Sequence, residues 1–356
     1  MKKIASYALG CKVNQYESEA IAELFAEKGY EVVSVDDKAD VYIINTCTVT
    51  NFGDKKSRQL IRKVKRQNEH AIVAVVGCYA QTAPEELAAV HGVNLVIGTK
   101  DKSKIVELVE DYQAEQGVQN YVTDIMHERV FEPLEIKKLA NRTRAYLKIQ
   151  DGCSQFCSYC IIPYARGPIR SRQPEDVIAE VKRLAENGFK EVVLTGIHVA
   201  SYGKDLKTIT LTDIIRQVHE VEGIERIRFS SIEPNVVTEE FAAAMAELPK
   251  VCDHFHLSLQ SGCDKTLKEM NRKYDTEKYR QAAALLRKYL PDVAITTDII
   301  VGFPGETEED YQASRAFAEE IGFSKIHVFP YSPKKGTPAA ARKDQLQNAV
   351  KQARSH

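Results

Sequence analysis

Short apolar segments alternate with segments of helical periodicity along almost the whole chain, and this alternation constrains the fold most. In the N-terminal third, the pattern predicts buried strands at Ile4–Leu9, Val41–Ile44, Ala71–Val76 and Asn94–Ile97. It predicts helices between them at Glu17–Lys28, Asp54–Gln67, Pro84–Val90 and Asp101–Glu110. Alternating strands and helices form a parallel sheet with helices on its faces. Residues 1–115 are therefore predicted to form a parallel-sheet α/β domain.

A second alternation begins at Tyr146, after a polar and poorly periodic stretch that we interpret as a linker at 116–143. Strands are predicted at Tyr146–Gln150, Glu191–Thr195, Arg226–Ser230, Phe255–Leu259, Ala294–Val301 and Lys325–Phe329. Helices are predicted at 174–187, 211–221, 238–247, 264–272, 275–289 and 308–321. Six such units predict a partial (β/α)6 barrel over 144–335, with its chemistry at the carboxyl ends of the strands. A basic tail follows at 336–356.

The chain of 356 residues contains eight cysteines, and its composition indicates the compartment in which they work. The apolar run at the N-terminus is too short for a signal peptide, and no stretch of about 18 apolar residues could span a membrane. We therefore expect a cytoplasmic protein without a membrane partner. Thiols stay reduced in the cytoplasm, so groups of cysteines there indicate metal binding or catalysis more often than disulfides.

Three cysteines lie within eight residues, directly after the first predicted strand of the barrel. Cys153, Cys157 and Cys160 belong to one loop, and soft thiolates select zinc or iron–sulfur clusters over hard cations. A structural zinc site normally needs a fourth ligand, and the nearest downstream histidine, His198, is almost forty residues away. Zinc therefore remains the weaker alternative to a cluster with one open iron.

Three further cysteines are far apart in sequence but share a position in the predicted sheet. Cys11, Cys47 and Cys78 each follow a strand of the N-terminal domain, so all three are expected at one carboxyl edge. The turn after the first strand lacks the glycine pattern of a dinucleotide site. Three thiolates at one edge could hold a second cluster, and three small buried side chains remain the alternative.

The segment from Cys153 to Cys160, with Tyr159 before the last cysteine, resembles the CxxxCxxC signature of the radical S-adenosylmethionine (SAM) enzymes. The resemblance implies that these three cysteines hold a 4Fe–4S cluster whose open iron binds SAM. The cluster then splits SAM to a 5′-deoxyadenosyl radical, which makes these cysteines the catalytic residues. Further SAM contacts are implied at strand ends, namely Tyr159, Thr195, Gly196, Ser231, Glu233, Gln260, Asp298 and Gly302.

The two triplets together resemble the methylthiotransferases within that superfamily. The resemblance rests on Gly10-Cys11-Lys12-Val13-Asn14, Asn45-Thr46-Cys47-Thr48-Val49 and Gly77-Cys78-Tyr79-Ala80-Gln81. It implies an auxiliary 4Fe–4S cluster on Cys11, Cys47 and Cys78 that holds the sulfur to be inserted. It also implies SAM as the cofactor, an electron donor such as a flavodoxin or ferredoxin, and an unidentified sulfur donor.

The residues after the first cysteine indicate the substrate. Gly-Cys-Lys-Val-Asn is similar to the group that acts on N6-threonylcarbamoyladenosine at position 37 of tRNA. The sequence analysis therefore predicts a transferase that makes its 2-methylthio derivative. Isopentenyladenosine in tRNA and a ribosomal-protein aspartate remain alternative substrates within the family. A non-enzymatic, metal-stabilised RNA-binding protein is the alternative from another class.

The near-zero net charge of −1 conceals basic runs that could neutralise RNA phosphates. Residues 55–66 contain seven basic residues and no acidic one, 137–148 contain five and none, and 334–354 contain six against one. Methylthiotransferases usually continue into a small RNA-binding β-barrel, and we expect that domain to be absent from these 356 residues. Either the chain is truncated, or RNA binding rests on the two larger domains, with weaker affinity for tRNA.

Overall fold

A computed structural model describes residues 1–136 and 143–355, and it confirms the predicted α/β class. The N-terminal domain is a six-stranded sheet in the order β2-β1-β3-β4-β5-β6, and every neighbouring pair is parallel. Its strands are β1 (Lys3–Ala8), β2 (Glu31–Val32), β3 (Val41–Thr46), β4 (Ile72–Gly77), β5 (Leu95–Val96) and β6 (Gln119–Asn120). The central strands β3 and β4 are almost wholly buried, as the continuous apolar runs in the sequence predict.

Helices cover both faces of this sheet. They are α1 (Lys12–Glu27), α2 (Asn51–Gln67), α3 (Cys78–Thr82), α4 (Pro84–Ala88) and α5 (Ile105–Glu110). The start of α2 is fixed by Thr50, whose hydroxyl accepts a hydrogen bond from the backbone N–H of Gly53. Two separate hydrophobic cores, one on each face, hold the helices to the sheet.

The second domain contains six parallel strands in an open barrel. They are β7 (Arg144–Asp151), β9 (Glu191–Gly196), β10 (Arg226–Phe229), β11 (His254–His256), β12 (Ala294–Val301) and β13 (Lys325–Pro330), with a short antiparallel β8 (Arg170–Ser171) beside β7. Continuous pairing forms two sheets, β10-β9-β7-β8 and β11-β12-β13. Single bridges from Ile227 to Val251 and from Ile232 to Leu257 join β10 to the next sheet.

The barrel helices pack outside the strands around one large hydrophobic core. They are α6 (Ile162–Arg166), α7 (Pro174–Glu186), α8 (Leu211–His219), α9 (Glu239–Ala246), α10 (Asp264–Glu269), α11 (Thr276–Tyr289) and α12 (Glu308–Ile321), followed by α13 (Asn348–Ser355). A capping box between Thr307 and Asp310 starts α12. No helix in the described ranges is long and apolar enough to cross a membrane.

Four short elements, β2, β8, α3 and α6, and the C-terminal helix α13 were not predicted. A strand of two residues shows no alternation, and a five-residue helix completes little more than one turn, so neither produces a periodic pattern. Strand β6 lies inside the predicted linker, where Leu134 and Ile136 are also buried. Residues 137–142 of that linker, which include part of a basic run, and His356 lie outside the described residues.

The segment predicted as a basic tail folds back onto the barrel. In α13, the ammonium of Lys351 lies 5.1 Å from the centre of the Tyr331 ring, and the side chain is buried. Arg354 donates to the Glu306 carboxylate at 2.7 Å. Two of the basic residues in this run therefore face the barrel rather than solvent.

Candidate active site

The loop after β7 carries the compact cysteine triplet, and its backbone conformation depends on a glycine. Gly152 adopts φ +74°, and a Cβ at this position would lie 1.8 Å from the carbonyl oxygen of Pro168. The Cys153 N–H donates to the Gly167 carbonyl at 2.9 Å, and the Cys160 N–H donates to the Cys157 carbonyl at 3.0 Å. These bonds hold the three thiols in one folded loop at the carboxyl end of a barrel strand.

Burial makes these thiols poor anions unless a cation binds them. It raises the pKa of Cys153 to about 11 and that of Cys160 to about 12, in both cases chiefly by desolvation. The charges of the neighbouring thiols raise both values further. A bound metal supplies the positive charge that such thiolates need.

A buried arginine from the loop after α10 supports the barrel triplet. Arg272 Nη1 donates to Cys157 Sγ at 3.2 Å, and its Nη2 donates to the Glu233 carboxylate at 2.7 Å. The other oxygen of Glu233 lies 3.1 Å from Nε2 of His198. Burial alone would raise the pKa of Glu233, but His198 and Arg272 outweigh it and hold that pKa below its usual value. One ionised carboxylate therefore balances one arginine beside Cys157.

The second triplet lies at the carboxyl edge of the N-terminal sheet. Cys11 follows β1, Cys47 follows β3, and Cys78 is the first residue of α3, directly after β4. A Cβ on Gly10, whose φ is +93°, would lie 2.5 Å from Cys47 Sγ, so the first two cysteine loops are in close contact. Burial raises the pKa of Cys47 to about 12, and the charges of Cys78 and Cys11 contribute to this rise.

Arg166 supports this second triplet from the other domain. It is the last residue of α6, fully buried, and its Nε donates to Cys78 Sγ at 3.2 Å. Its guanidinium also donates to Glu17 at 2.6 Å and to Asn14 at 2.7 Å, both on α1. Helix α6 begins two residues after Cys160 and packs against α3. One side chain therefore connects a cysteine of the N-terminal sheet to the segment that carries the barrel triplet.

Arg166 belongs to a buried charge network with more cations than carboxylates. Four cationic side chains (Lys102, Lys148, Arg166 and Arg170) pair with three carboxylates (Glu17, Glu132 and Asp151). Desolvation opposes the charge of Glu17, yet Arg166, Lys102 and Lys148 hold its pKa well below the usual range. The network therefore places one more cation than carboxylate in the buried region where Arg166 meets Cys78.

The remaining predicted SAM contacts form three pairs and one single residue. Thr195 and Gly196 end β9, and the buried hydroxyl of Thr195 makes no hydrogen bond within the described residues. Gln260 and Asp298 are neighbours, since the Gln260 N–H donates to the Asp298 carbonyl at 2.9 Å. Tyr159 and Gly302 lie instead beside a small apolar cluster, where Lys351 of α13 packs over Gly302. Ser231 is exposed after β10.

Sequence reasoning missed the arginines and the carboxylate network. Arg166 and Arg272 lie outside the cysteine motifs, and their contacts with Cys78, Glu17 and Cys157 span 88, 149 and 115 residues. One signal was present in β7, where Lys148, Gln150 and Asp151 interrupt a strand that is otherwise predicted to be buried. Buried polar groups need partners, and such residues inside a core strand indicate a polar network.

Both triplets have a donor set suited to iron–sulfur clusters. Within residues 1–136 and 143–355, no three histidine, cysteine or acidic side chains converge closely enough to bind a single metal ion. In a 4Fe–4S cluster each cysteine binds a different iron, so its thiolates stand further apart than the ligands of one ion. The thiols of each triplet are close enough to affect one another's pKa, and each triplet has an arginine donor. The unpartnered hydroxyl of Thr195 similarly suits a polar ligand at the barrel strand ends.

Comparison with known proteins matches two separate parts of the chain to two families. Residues 147–318 match the Radical SAM superfamily, and residues 3–98 match a family described as "Uncharacterized protein family UPF0004". The radical SAM methyltransferase TsrM of Kitasatospora setae has a similar fold, with a TM-score of 0.70 and 16% identity over 96% of this chain and 75% of that one. The fold and the thiol triplet after β7 define a radical SAM protein.

Two relatives indicate which family of radical SAM proteins the chain belongs to. The threonylcarbamoyladenosine tRNA methylthiotransferase of Bacillus subtilis is 48% identical over 100% of this chain and 79% of its own length. The tRNA-2-methylthio-N6-dimethylallyladenosine synthase of a Thermoanaerobacter species is 40% identical over 97% of this chain and 74% of its own length. The chain belongs to the radical SAM methylthiotransferase family, as its cysteine motifs predict.

Proposed function

We propose that the protein converts N6-threonylcarbamoyladenosine at position 37 of tRNA to its 2-methylthio derivative. The pair of cysteine triplets, joined through α3 and α6, carries this proposal. The substrate is supported by the Gly-Cys-Lys-Val-Asn segment and by the 48% identity to a threonylcarbamoyladenosine enzyme, against 40% to a dimethylallyladenosine enzyme. Membership of an enzyme family argues against the non-enzymatic alternative.

Cys153, Cys157 and Cys160 would hold the cluster that binds SAM, and Cys11, Cys47 and Cys78 the cluster that presents sulfur. When bound, these groups supply a 5′-deoxyadenosyl radical, the sulfur atom and the methyl group. Such chemistry is required because an aromatic C–H bond offers no accessible acid–base route at neutral pH. Thr195, Glu233, Gln260 and Asp298 would contact SAM at the strand ends.

The chain's own residues have three tasks in this scheme. Arg272 donates to one thiolate of the barrel triplet, and His198 holds the carboxylate that orients Arg272. Arg166 donates to Cys78 and fixes α1 against the barrel through Glu17. The buried strand β7 presents Lys148 and Asp151 to this network and positions the loop that begins at Gly152.

We further propose that the protein works in the cytoplasm, where tRNA and reduced thiols coexist, and receives electrons from a flavodoxin or ferredoxin. Nucleoside mass spectrometry of tRNA from a deletion strain tests the substrate. We expect loss of 2-methylthio-N6-threonylcarbamoyladenosine and its return on complementation with the wild-type chain but not with Cys47→Ala. An unchanged level in the deletion strain would contradict the proposal, and loss of the isopentenyl derivative instead would favour the related substrate.

A further inference from the structure

The N-terminal domain has an open groove beside α2, which we call the α2 groove. One wall is the exposed face of α2, and the other is formed by Tyr7 and Leu9 at the end of β1. The groove is lined by Tyr7, Leu9, Val35, Asp36, Lys56, Gln59, Leu60, Arg62, Lys63 and Arg66. Four of these ten residues are basic and only one is acidic, so the groove has a strongly positive wall.

The positive charge of this wall is largely uncompensated. The helix buries Ser57, Ile61 and Val64 and exposes the basic residues at helical spacing. Its only acidic residue, Asp54, is buried and forms an ion pair with Lys334. In the groove, Asp36 is bound by Lys63 at 2.5 Å. Across the described part of the chain, Lys55, Arg62 and Arg66 form no ion pair, so they remain available to an anionic ligand.

Both walls of the α2 groove lead to the auxiliary cysteines. The β1 wall continues through Leu9 and Gly10 directly into Cys11, which is exposed. The α2 wall begins four residues after Cys47, and the two loops meet where Gly10 contacts Cys47. From Lys55 to Arg66 the helix rises about 16 Å, which is roughly the length of five stacked nucleotides.

An exposed aromatic ring stands at the cysteine end of this helix. Phe52 is 62% exposed, and the neighbouring Val49, two residues after Cys47, is 56% exposed. The ammonium of Lys56 lies 4.6 Å from the centre of the Phe52 ring. Flat rings beside cationic side chains are the surfaces on which unpaired bases stack. The described fold therefore leaves most of this ring accessible to a ligand.

We propose that the α2 groove binds the sugar–phosphate backbone of the RNA strand that carries the substrate nucleoside, and that an unpaired base stacks on Phe52. Arg62 and Arg66 would contact the phosphates, and the strand would lead to Cys11 and Cys47. This inference rests on the proposed function, because it assumes an RNA substrate. It adds the surface that receives the RNA within the N-terminal domain itself.

The double variant Arg62→Glu/Arg66→Glu tests the charged wall, since neither residue supports the fold through an ion pair. Binding of a tRNA transcript is measured by fluorescence anisotropy over a series of salt concentrations. We expect affinity to fall at least about tenfold, and the slope of log K against log salt to decrease by about 1.5, because two phosphate contacts are lost. Iron content and melting temperature should match those of the wild type.

The matched control is Lys182→Glu/Arg216→Glu, which reverses two exposed charges on α7 and α8 of the barrel. It should retain most of the affinity and the wild-type salt slope. An equal loss in both variants would mean that overall charge, not the α2 groove, attracts RNA, and would overturn the proposal. Unchanged tRNA binding by the Arg62→Glu/Arg66→Glu variant would also overturn the proposal. If that variant instead loses binding to anionic vesicles or to an acidic protein, the groove has a different occupant.

Phe52→Ala and Phe52→Tyr separate stacking from charge. We expect the alanine variant to lose about tenfold in affinity for an anticodon stem-loop with an unchanged salt slope, and the tyrosine variant to bind like the wild type. Equal binding by the alanine variant and the wild type would overturn the stacking contact. If the wild type itself neither binds nor modifies tRNA, the proposed function fails. If the wild type binds and modifies tRNA and the Arg62→Glu/Arg66→Glu variant binds it equally well, the proposed function stands and only the assignment of the RNA surface to the α2 groove is wrong.

Discussion

The barrel triplet and the N-terminal triplet differ in the part of the molecule that supports them. Cys153, Cys157 and Cys160 belong to one loop, and Arg272, which contacts Cys157, comes from the same barrel. Cys11, Cys47 and Cys78 come from three strand ends, and Arg166, which contacts Cys78, comes from the other domain. The first site is thus complete within its own domain, whereas the second requires both domains.

The two arginines also differ in charge balance. Arg272 faces Glu233, which has a second partner in His198. Arg166 lies in a largely buried network in which four cations pair with three carboxylates. The barrel triplet is therefore supported by a small local set of charges, and the N-terminal triplet by a larger network that spans both domains.

The largest expected effect comes from variants that remove one cysteine from one triplet at a time. Cys153→Ala and Cys47→Ala should each lower the iron content from about eight towards four per chain, because each removes a ligand of one cluster. Only Cys153→Ala should abolish formation of 5′-deoxyadenosine from SAM under reducing conditions. Iron analysis and chromatography of the nucleoside products measure this. Loss of 5′-deoxyadenosine in both variants would show that the assigned roles are wrong.

Arg166→Gln should destabilise the whole chain strongly. It leaves Glu17 without its closest cation in a fully buried position, and breaking such a pair typically costs about 3–5 kcal/mol. Anaerobic denaturant unfolding measures the change, and iron content should fall at the N-terminal triplet first. The double variant Arg166→Gln/Glu17→Gln should recover part of the stability. No recovery would mean that the charge of Glu17 is not what Arg166 compensates.

Arg272→Gln should have a smaller effect of about 1–3 kcal/mol, because Arg272 pairs with one carboxylate, Glu233, which keeps His198 nearby, whereas Arg166 pairs with both Glu17 and Asp151. The loss should be local, with slower 5′-deoxyadenosine formation and an unchanged N-terminal cluster. The reduction potential of each cluster, followed by electron paramagnetic resonance, distinguishes the two sites. A larger loss of stability than in Arg166→Gln would reverse the comparison.

The smallest expected effect is the acid dependence of stability. The native-state pKa of Glu17 lies well below its usual value of about 4.5, so its ionised form contributes stability above that pH. This contribution is lost as the pH falls from about 4.5 towards the native pKa. The pKa of Glu233 is also lowered, but less than that of Glu17. In melting curves between pH 7 and pH 3, Glu17→Gln should therefore flatten the acid limb more than Glu233→Gln does.

The sequence predicts the strands and helices better than it predicts the residues that support the two cysteine triplets. Strand β4 is a continuous apolar run that ends at Gly77, and the position of the cluster cysteines after strands is a local property of the chain. The two α/β domains could therefore be predicted from periodicity alone. The bounds of the domains and the ligands of each cluster remain predictions that the experiments above address.

The supporting residues could not be predicted for a physical reason. Arg166 and Glu17 are separated by 149 positions, and nothing near either residue distinguishes it from a surface charge. Only the packing of α1 against β7 and of α6 against α3, across the domain boundary, removes both residues from water and makes each the partner of the other. Short elements such as α6 and β8 escape prediction similarly, because their neighbours in space, not in sequence, stabilise them.

The contact between Arg166 and Glu17 also affects the order of events during synthesis. A ribosome releases the N-terminal domain first, so Glu17 and Lys102 emerge well before Lys148 and Arg166, the other two cations that pair with Glu17. A buried carboxylate is better compensated by three cations than by one, so we expect α1 to pack more tightly once residues up to 166 have left the exit tunnel. Cys78 receives its arginine only after the loop with Cys153, Cys157 and Cys160 has been made. The growing chain thus completes the surroundings of its N-terminal triplet only after its barrel triplet exists.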